Sequence, residues 1–208
     1  MSVIAIIPSR KGSKGLPRKS FQLLGGKPLW THSLLAAAGA VDDVVVATDD
    51  VELCDEAQRV GARAVLLAEQ DDYATLDSSL VTTVGLLNLG RGDTVVILQP
   101  TVPIRRRNLV RDCVDLSAHS RSLLTVNRLR FVWNSHGFQI NGRRLRQSMH
   151  PSELFYHEDG SVYVVRADQL LEHGSRVIPP CDYVETDPTV DIDTPADLAR
   201  AEKILTKG

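Results

Sequence analysis

Segments whose hydrophobic residues are typical of strands alternate with segments of helical spacing along the first half of the chain. Short aliphatic runs predict buried strands at Val3–Ile7, Val44–Thr48, Arg63–Leu67 and Thr94–Pro100. Helical spacing follows each of them, at Pro28–Ala40, Val51–Gly61, Ser78–Leu89 and Arg107–His119. Strands that alternate with helices form parallel βαβ units. The pattern therefore predicts an α/β fold, a three-layer sandwich with helices on both faces of a mainly parallel sheet.

The second half of the chain has a different pattern. Strand-like segments flank turn signals at 134–137 and 141–144, and a strand followed by a helix is predicted over 160–174. The segment "TVDIDTPADLARAEKIL" opens with alternating residues and closes with a helix that begins at Thr194 or Pro195. These strands either join the same sheet or exchange with a second subunit. The apolar hairpin "RFVWNSHGFQI" favours a subunit interface, because exposed apolar patches need cover.

Composition narrows the class of protein. A chain of 208 residues with 43% hydrophobic and 24% charged residues suits one soluble domain over 1–208. The net charge of −2 argues against nucleic-acid binding, and no apolar stretch approaches the roughly 20 residues that span a bilayer. Three widely spaced cysteines indicate neither a disulfide framework nor a zinc site. With no signal-peptide pattern, we expect a cytoplasmic protein without a membrane partner.

Positive charge is concentrated in the stretch "IIPSRKGSKGLPRKS", which holds five Lys or Arg residues and follows the first predicted strand. In open parallel sheets, ligands bind outside the carboxyl ends of the strands. The fixed charges of Arg10, Lys14 and Lys19 in a glycine-containing loop suit a polyphosphate. A solvated surface loop is the alternative interpretation.

The two glycines of this loop follow no standard phosphate motif. Both the G-x-G-x-x-G spacing and the Walker pattern are absent from the stretch. Gly12 and Gly15 allow the loop backbone conformations that are closed to other residues.

Six ordered stretches carry a resemblance to one family. "IPSRKGSKGLPRKS" resembles the N-terminal signature of acylneuraminate cytidylyltransferases, also called CMP-sialic acid synthetases. "GGKPLWTHSLLAA", "VVVATDD", "ILQPTVPIR", "GSVYVV" and "VDIDTPADLARAEKIL" resemble later segments of the same family. The resemblance implies a Rossmann-like nucleotidyltransferase sheet with a small dimerisation extension at 129–158, and a homodimer. Members of this family couple CTP to the anomeric hydroxyl of a nonulosonic acid and release pyrophosphate.

On the nucleotide side, the resemblance implies that Arg10 and Lys19 are the catalytic cations, because negative charge builds on the leaving phosphate oxygens. Lys14 is either a helper or a solvated lysine, and Ser20 stands where the family usually has Asn. The Asp77–Ser79 stretch resembles a cytidine contact, with an N-cap as the alternative. The implied nucleotide-binding residues are Arg10, Gly12, Ser13, Lys14, Lys19, Ser20, Ser79 and Gln99.

The acceptor side departs further from the family. The resemblance implies that Gln99, Thr101 and Tyr163 bind the acceptor, while Val102 replaces the usual Ser. The expected arginine is missing from "HEDG" at 157–160, so Arg146 is the candidate for binding an acceptor carboxylate. The same four residues alternatively form a loop with a turn that ends at glycine.

Two carboxylates, Asp191 and Asp193, are spaced so that an extended chain would point both the same way. A hard oxygen pair suits Mg²⁺, which bridges carboxylates and phosphates. A turn aspartate followed by an aspartate near a helix N-terminus is the alternative. The resemblance favours the Mg²⁺ site. Asp49 or Asp50 is expected to cap the helix that follows.

Two classes of function follow. The first is a Mg²⁺-dependent cytidylyltransferase for a sialic-type nonulosonate, with a shorter ulosonate or a phosphonate as alternative acceptors. The second is a catalytically silent nucleotide-binding or assembly subunit that retains the fold. Retention of Arg10, Lys19, Asp191 and Asp193 argues for the enzyme.

We predict that CTP binding depends on the charge of Lys19. Loss of one charge-assisted hydrogen bond typically costs about 1.5–3 kcal/mol. Lys19→Ala should therefore weaken CTP binding by about 10- to 100-fold. Isothermal calorimetry with CTP measures this directly. Unchanged CTP affinity and unchanged turnover would contradict the assignment.

Overall fold

A mixed sheet and the helices on its two faces make up the structure. The computed structural model describes residues 1–69, 74–129, 135 and 155–206. The strands are β1 (Val3–Ser9), β2 (Leu23–Leu24), β3 (Lys27–Pro28), β4 (Asp43–Thr48), β5 (Arg63–Leu66), β6 (Thr94–Ile97), β7 (Ser122–Leu129), β8 (Phe155–Arg166) and β9 (Asp182–Glu185). The helices are α1 (Leu29–Ala37), α2 (Val51–Arg59), α3 (Leu76–Leu86), α4 (Leu109–Leu116), α5 (Ala167–His173) and α6 (Pro195–Leu205).

The main sheet has the strand order β5-β4-β1-β6-β8-β7-β9 within the described ranges. The first four of these strands are parallel to one another, whereas β8 runs antiparallel to both β6 and β7. The edge strand β9 is parallel to β7. The predicted mainly parallel sheet is therefore confirmed, and the strands of the second half extend it within the same chain.

Side-chain alternation along the strands builds two apolar layers. Ile6 and its neighbours on one face pack with α3 and α5, as the burial of Leu80 and Leu170 shows. Ala5 faces the opposite way and packs with α1 and α4. Helix α2 covers β4 on that same side through Leu53. The three-layer sandwich is confirmed, since successive residues of a strand point to opposite faces.

The segment before α6 is extended but forms no ladder in the described structure. Its backbone is held by a hydrogen bond from Ile192 N–H to the carbonyl of Thr101, at 2.7 Å. Ile192 is fully buried while Asp191 and Asp193 are exposed, so the predicted alternation is present. Strand β9, which the hydrophobic pattern did not predict, occupies the sheet edge instead.

The loop interpretation of residues 157–160 is wrong, because these residues lie in β8. Asp159 is buried and accepts hydrogen bonds from the hydroxyls of Thr125 and Thr186 and from the N–H of Ser161 at 2.8 Å. Buried carboxylates are tolerated when donors surround them. Asp159 therefore ties β8 to β7 and to the chain after β9.

The proposed extension at 129–158 lies mostly outside the described residues, of which Leu129 ends β7 and Phe155 begins β8. No helix in the described ranges has the length and apolarity required to cross a bilayer.

We predict that Asp159→Ala lowers the free energy of unfolding by about 2–4 kcal/mol, because several buried donors lose their acceptor at once. The neighbouring His157 is exposed in the same strand, so His157→Ala should change it by less than about 0.5 kcal/mol. Urea denaturation measures both. Equal effects of the two substitutions would show that the hydrogen bonds to Asp159 do not hold these strands together.

Candidate active site

A cavity of about 580 Å³ opens where β1, β4 and β6 end. This is the rim at which open parallel sheets bind ligands. Its described walls come from the loop after β1, the end of β4, the start of α3, the turn after β6 and the segment before α6. The predicted site residues that it brings together are Arg10, Gly12, Ser13, Lys14, Lys19, Ser20, Ser79, Gln99, Thr101 and Asp193. Arg10 and Gln99 thus lie at the same rim of the sheet.

The basic loop is anchored at both ends by carboxylates from the neighbouring βα unit. The N–H of Lys11 donates to Asp49 Oδ1 at 2.6 Å. Arg18, in a left-handed conformation, donates to Glu52 Oε1 at 2.7 Å. Asp50 is the N-cap of α2, as predicted, and accepts from the N–H of Glu52. These contacts fix the loop above the cavity while other basic side chains face it.

The two loop glycines differ in what they do, and neither has a left-handed backbone. A Cβ on Gly15 would lie 2.5 Å from the carbonyl oxygen of Asp193, a separation that real Cβ atoms do not reach. A Cβ on Gly12 would meet its nearest neighbour, Arg10 Nη2, at an ordinary 3.8 Å. The absence of a side chain at Gly15 therefore allows close approach of two backbones.

Lys19 and Asp193, predicted for different ligands, form an ion pair with 2.5 Å between Nζ and Oδ1. The Lys19 side chain is only 16% exposed, whereas Asp193 is 66% exposed. Partial burial orders the lysine, and the outer carboxylate stays open to the cavity. The pair keeps a cation and an anion side by side at the point where the basic loop meets the segment before α6.

Asp191 lies beside this pair and carries an unfavourable charge. Although the residue as a whole is exposed, the protein atoms packed around its carboxyl desolvate it and raise the pKa of Asp191, and the negative charge of Asp193 raises this pKa further. A hydrogen bond with the Thr101 side chain and the charge of Lys19 act in the opposite direction. Two repelling carboxylates that share one lysine form a donor set that fits a divalent cation.

The N-cap of α6 is Thr194, which forms a capping box with Asp197, so neither Asp191 nor Asp193 caps this helix. No cluster of three or more His, Cys, Asp or Glu side chains suited to a metal occurs in the described part of the chain. A cation at these two aspartates would therefore take its remaining oxygen ligands from substrate or water, as Mg²⁺ commonly does.

Two serines of the predicted nucleotide set lie in the cavity wall. The hydroxyls of Ser20 and Ser9 are hydrogen-bonded to each other and largely buried. Ser79 donates from Oγ to the carbonyl of Thr75 at 3.2 Å. The N-cap interpretation of Asp77–Ser79 is wrong, because α3 begins one residue after Thr75, whose side chain accepts from the N–H of Ser78.

The predicted acceptor residues are divided between the cavity and the core. Gln99 and Thr101 line the cavity. Tyr163 is 2% exposed, its hydroxyl donates to Glu158 at 3.1 Å, and burial raises its pKa to about 12. It is not among the residues that line the cavity. Arg146 lies outside the described residues.

Two arginines that we did not single out from the sequence contact residues in and next to this part of the cavity wall. Arg176 pairs with Asp77 at 2.8 Å, and its guanidinium carbon lies 4.6 Å from the centre of the Tyr163 ring. Arg105 donates to the carbonyls of Gln99 and Ser161. Arg105 is the last residue of the "ILQPTVPIR" stretch, and the resemblance of this stretch to the family could have identified it from the sequence. Asp77 and Arg176 are 99 positions apart, and no local pattern joins them.

The fold and the cavity are those of a nucleotidyltransferase, and comparison with known proteins specifies the kind. Residues 4–104 match the family model described as "Cytidylyltransferase". The chain is 30% identical to CMP-N,N'-diacetyllegionaminic acid synthase of Legionella pneumophila, over 99% of this chain and 97% of that protein. It is 27% identical to pseudaminic acid cytidylyltransferase of Campylobacter jejuni, over 100% and 97%. The chain belongs to the cytidylyltransferase family that includes the sialic-type CMP synthetases.

A solved structure supports the fold assignment. CMP:2-keto-3-deoxy-manno-octonic acid synthetase, complexed with CTP, superposes with a TM-score of 0.76 at 20% identity, over 100% of this chain and 99% of that one. The likeness at this identity concerns the fold, including the sheet that forms the rim.

We predict that Gly15→Ala weakens CTP binding at least tenfold, because the new Cβ must push the basic loop away from the Asp193 carbonyl. Gly12→Ala in the same loop has room for its methyl group and should bind CTP within about threefold of the unaltered protein. Calorimetry and melting temperature should be recorded for both variants. Equal CTP affinities for the two would show that contact between the loop and Asp193 is not needed.

Proposed function

We propose that the protein transfers CMP from CTP to a hydroxyl of a nonulosonic acid and releases pyrophosphate. The observation that carries the proposal is one cavity in which the cations Arg10 and Lys19 meet the carboxylate of Asp193 and the amide of Gln99. Relatives that match over nearly their whole length are named for legionaminic and pseudaminic acids, which supports this acceptor class.

The basic loop would bind the triphosphate. In-line attack on the α-phosphate moves negative charge onto the departing pyrophosphate, so cations aimed at those oxygens lower the barrier. Arg10 and Lys19 supply this charge, with Ser13, Lys14 and the neighbouring N–H groups as further contacts. Lys19 would exchange the Asp193 carboxylate for a phosphate oxygen when CTP binds. Ser20 and Ser79 lie in the wall of the cavity for the rest of the nucleotide.

Asp191 and Asp193 would hold Mg²⁺. The ion, when bound, brings the phosphate and the acceptor oxygen together and offsets developing charge. The residues of this chain contribute the two carboxylates, the hydrogen bond between Thr101 and Asp191, and the backbone contact that fixes Asp193 beneath Gly15. These features keep the carboxylates adjacent although their charges repel.

The acceptor would bind beyond the α-phosphate, against Gln99 and Thr101. We assign Arg146 to this side as well, pairing with the acceptor carboxylate, whereas Tyr163 is buried outside the cavity and is not part of the proposed acceptor site. We further propose a cytoplasmic homodimer in which residues 130–157 of a second copy complete the acceptor pocket. Sedimentation velocity tests the dimer, and a fully active stable monomer would remove it.

Pyrophosphate release tests the reaction. The protein should release pyrophosphate from CTP and Mg²⁺ with legionaminic, pseudaminic or N-acetylneuraminic acid, and chelation with EDTA should abolish release. Octulosonate and a phosphonate are the comparison acceptors. Release only with these two would overturn the acceptor class, and no release with any acid would overturn the proposed enzyme reaction.

We predict that Asp193→Asn reduces turnover at least a hundredfold, because one charge of the proposed Mg²⁺ pair is lost, and that excess Mg²⁺ restores only part of the rate. The fold should survive, since the side chain is exposed and caps no helix. The exposed Asp187 offers a matched control, and Asp187→Asn should leave the rate unchanged. Full activity of Asp193→Asn would remove the metal assignment.

A further inference from the structure

Arg105 makes three hydrogen bonds to three separate segments. Nη2 donates to the carbonyl of Gln99 at 2.8 Å, Nε donates to the carbonyl of Ser161 at 2.8 Å, and Nη1 donates to Ser33 Oγ at 3.2 Å. One guanidinium thus joins the turn after β6, strand β8 and helix α1. The acceptors lie in different directions, and a planar group with five fixed donors suits them.

Arg105 is half-buried, and its guanidinium has no carboxylate partner in direct contact among the described residues. Burial lowers the pKa of Arg105 to about 10, and the more distant charge of Asp159 partly compensates. Placing a charge in the interior opposes folding unless hydrogen bonds satisfy it. Because this cost has to be offset, the three hydrogen bonds of Arg105 are expected to serve a purpose at this position.

The Gln99 carbonyl is a shared acceptor for three different donors. It accepts from Arg105, from the Ser33 hydroxyl at 3.4 Å and from the N–H of Val102 at 3.2 Å. The backbone of Gly160 in β8 lies against the same residue, since a Cβ there would be 3.5 Å from Gln99 Nε2 and 3.2 Å from Val102 Cγ2. Both the main chain and the side chain of Gln99 are thereby restrained.

The turn from Gln99 to Val102 also reaches the proposed Mg²⁺ ligands. The carbonyl of Thr101 accepts from the N–H of Ile192 at 2.7 Å, and the Thr101 side chain is hydrogen-bonded to Asp191. A displacement of this turn would therefore move the amide of Gln99 and the carboxylate of Asp191 together.

We propose that Arg105 is a positioning residue for nucleotidyl transfer. It fixes the Gln99–Val102 turn, and this turn holds the side-chain amide of Gln99 and the carboxylate of Asp191 in fixed positions relative to each other. The inference rests on the proposed function, because it assigns a purpose to the placement of Gln99 and Asp191. Arg105 acts through these residues. The basic loop that binds the triphosphate is anchored elsewhere, by Asp49 and Glu52.

Hydrogen exchange tests the positioning without any need for turnover. Arg105→Lys keeps the charge but replaces the planar fork with an ammonium that cannot span the three acceptors. We expect the amides of Val102 and Ile192 to exchange at least tenfold faster in this variant, with exchange in α2 unchanged. The exposed Arg107 provides the matched control, and Arg107→Lys should leave all three unchanged. Unchanged exchange at Val102 and Ile192 in Arg105→Lys would overturn the proposal.

Steady-state kinetics supply a second readout that a purely structural role would not give. Arg105→Lys should raise the acceptor KM and lower kcat, each at least fivefold, while calorimetric CTP affinity stays within threefold. Equal losses of CTP affinity and acceptor affinity would overturn the positioning role. If the unaltered protein shows no transfer, the proposed function fails, and the exchange experiment still decides whether Arg105 fixes the turn.

A milder substitution keeps the test decisive if Arg105→Lys does not fold. Ser33→Ala removes one donor to the Gln99 carbonyl and one acceptor of Arg105, and it creates little empty volume. It should accelerate exchange at Val102 by a smaller factor, about threefold, with the melting temperature nearly unchanged. Normal exchange at Val102 would count against the proposal.

Discussion

The close contact between Gly15 and the carbonyl of Asp193 is the constraint on which the site depends. These residues come from opposite ends of the chain, and the adjacent Lys19–Asp193 ion pair spans 174 positions of sequence. The backbone contact and the ion pair both place the basic loop directly against the segment before α6. If the two backbones were further apart, the cations and the carboxylates would line different surfaces.

The sheet makes this contact possible. Strand β1 lies between β4 and β6, so the loop that leaves it is flanked by polar groups from both neighbours. Asp49 holds the loop from the β4 side, while the Gln99–Val102 turn extends from β6. Ile192 is buried beneath the two exposed aspartates and receives its backbone partner from that turn. The cavity therefore forms between fixed elements, and its charges are preorganised.

The antiparallel strand β8 connects the core to the wall of the cavity at Gln99. Gly160 lies against Gln99, while Asp159 gathers hydroxyl donors from β7 and from the chain after β9. Arg105 links this strand to the turn after β6. Such networks specify one arrangement when every polar member has a partner. The wall of the cavity around Gln99 is thus shaped by buried polar groups as well as by apolar packing.

The hydrophobic pattern by itself predicted the α/β class, the parallel strands of the first half and the position of the basic loop, because helix and strand periods are local properties. The resemblance to a family of known enzymes added the roles of Arg10 and Lys19 toward the triphosphate and of Asp191 and Asp193 toward Mg²⁺, but it did not predict that Lys19 and Asp193 form an ion pair. Only the tertiary structure separated Gly12 from Gly15 and revealed Arg176 beside Asp77.

It was also the tertiary structure that placed residues 157–160 in a strand and showed that Thr194, rather than an aspartate, caps α6. Polar and turn-forming residues such as "HEDG" favour a loop when they are considered locally. Here Asp159 finds its donors on other segments, and those long-range hydrogen bonds outweigh the local preference. Contacts between residues distant in sequence leave no periodic signal along the chain, so the structure alone determined them.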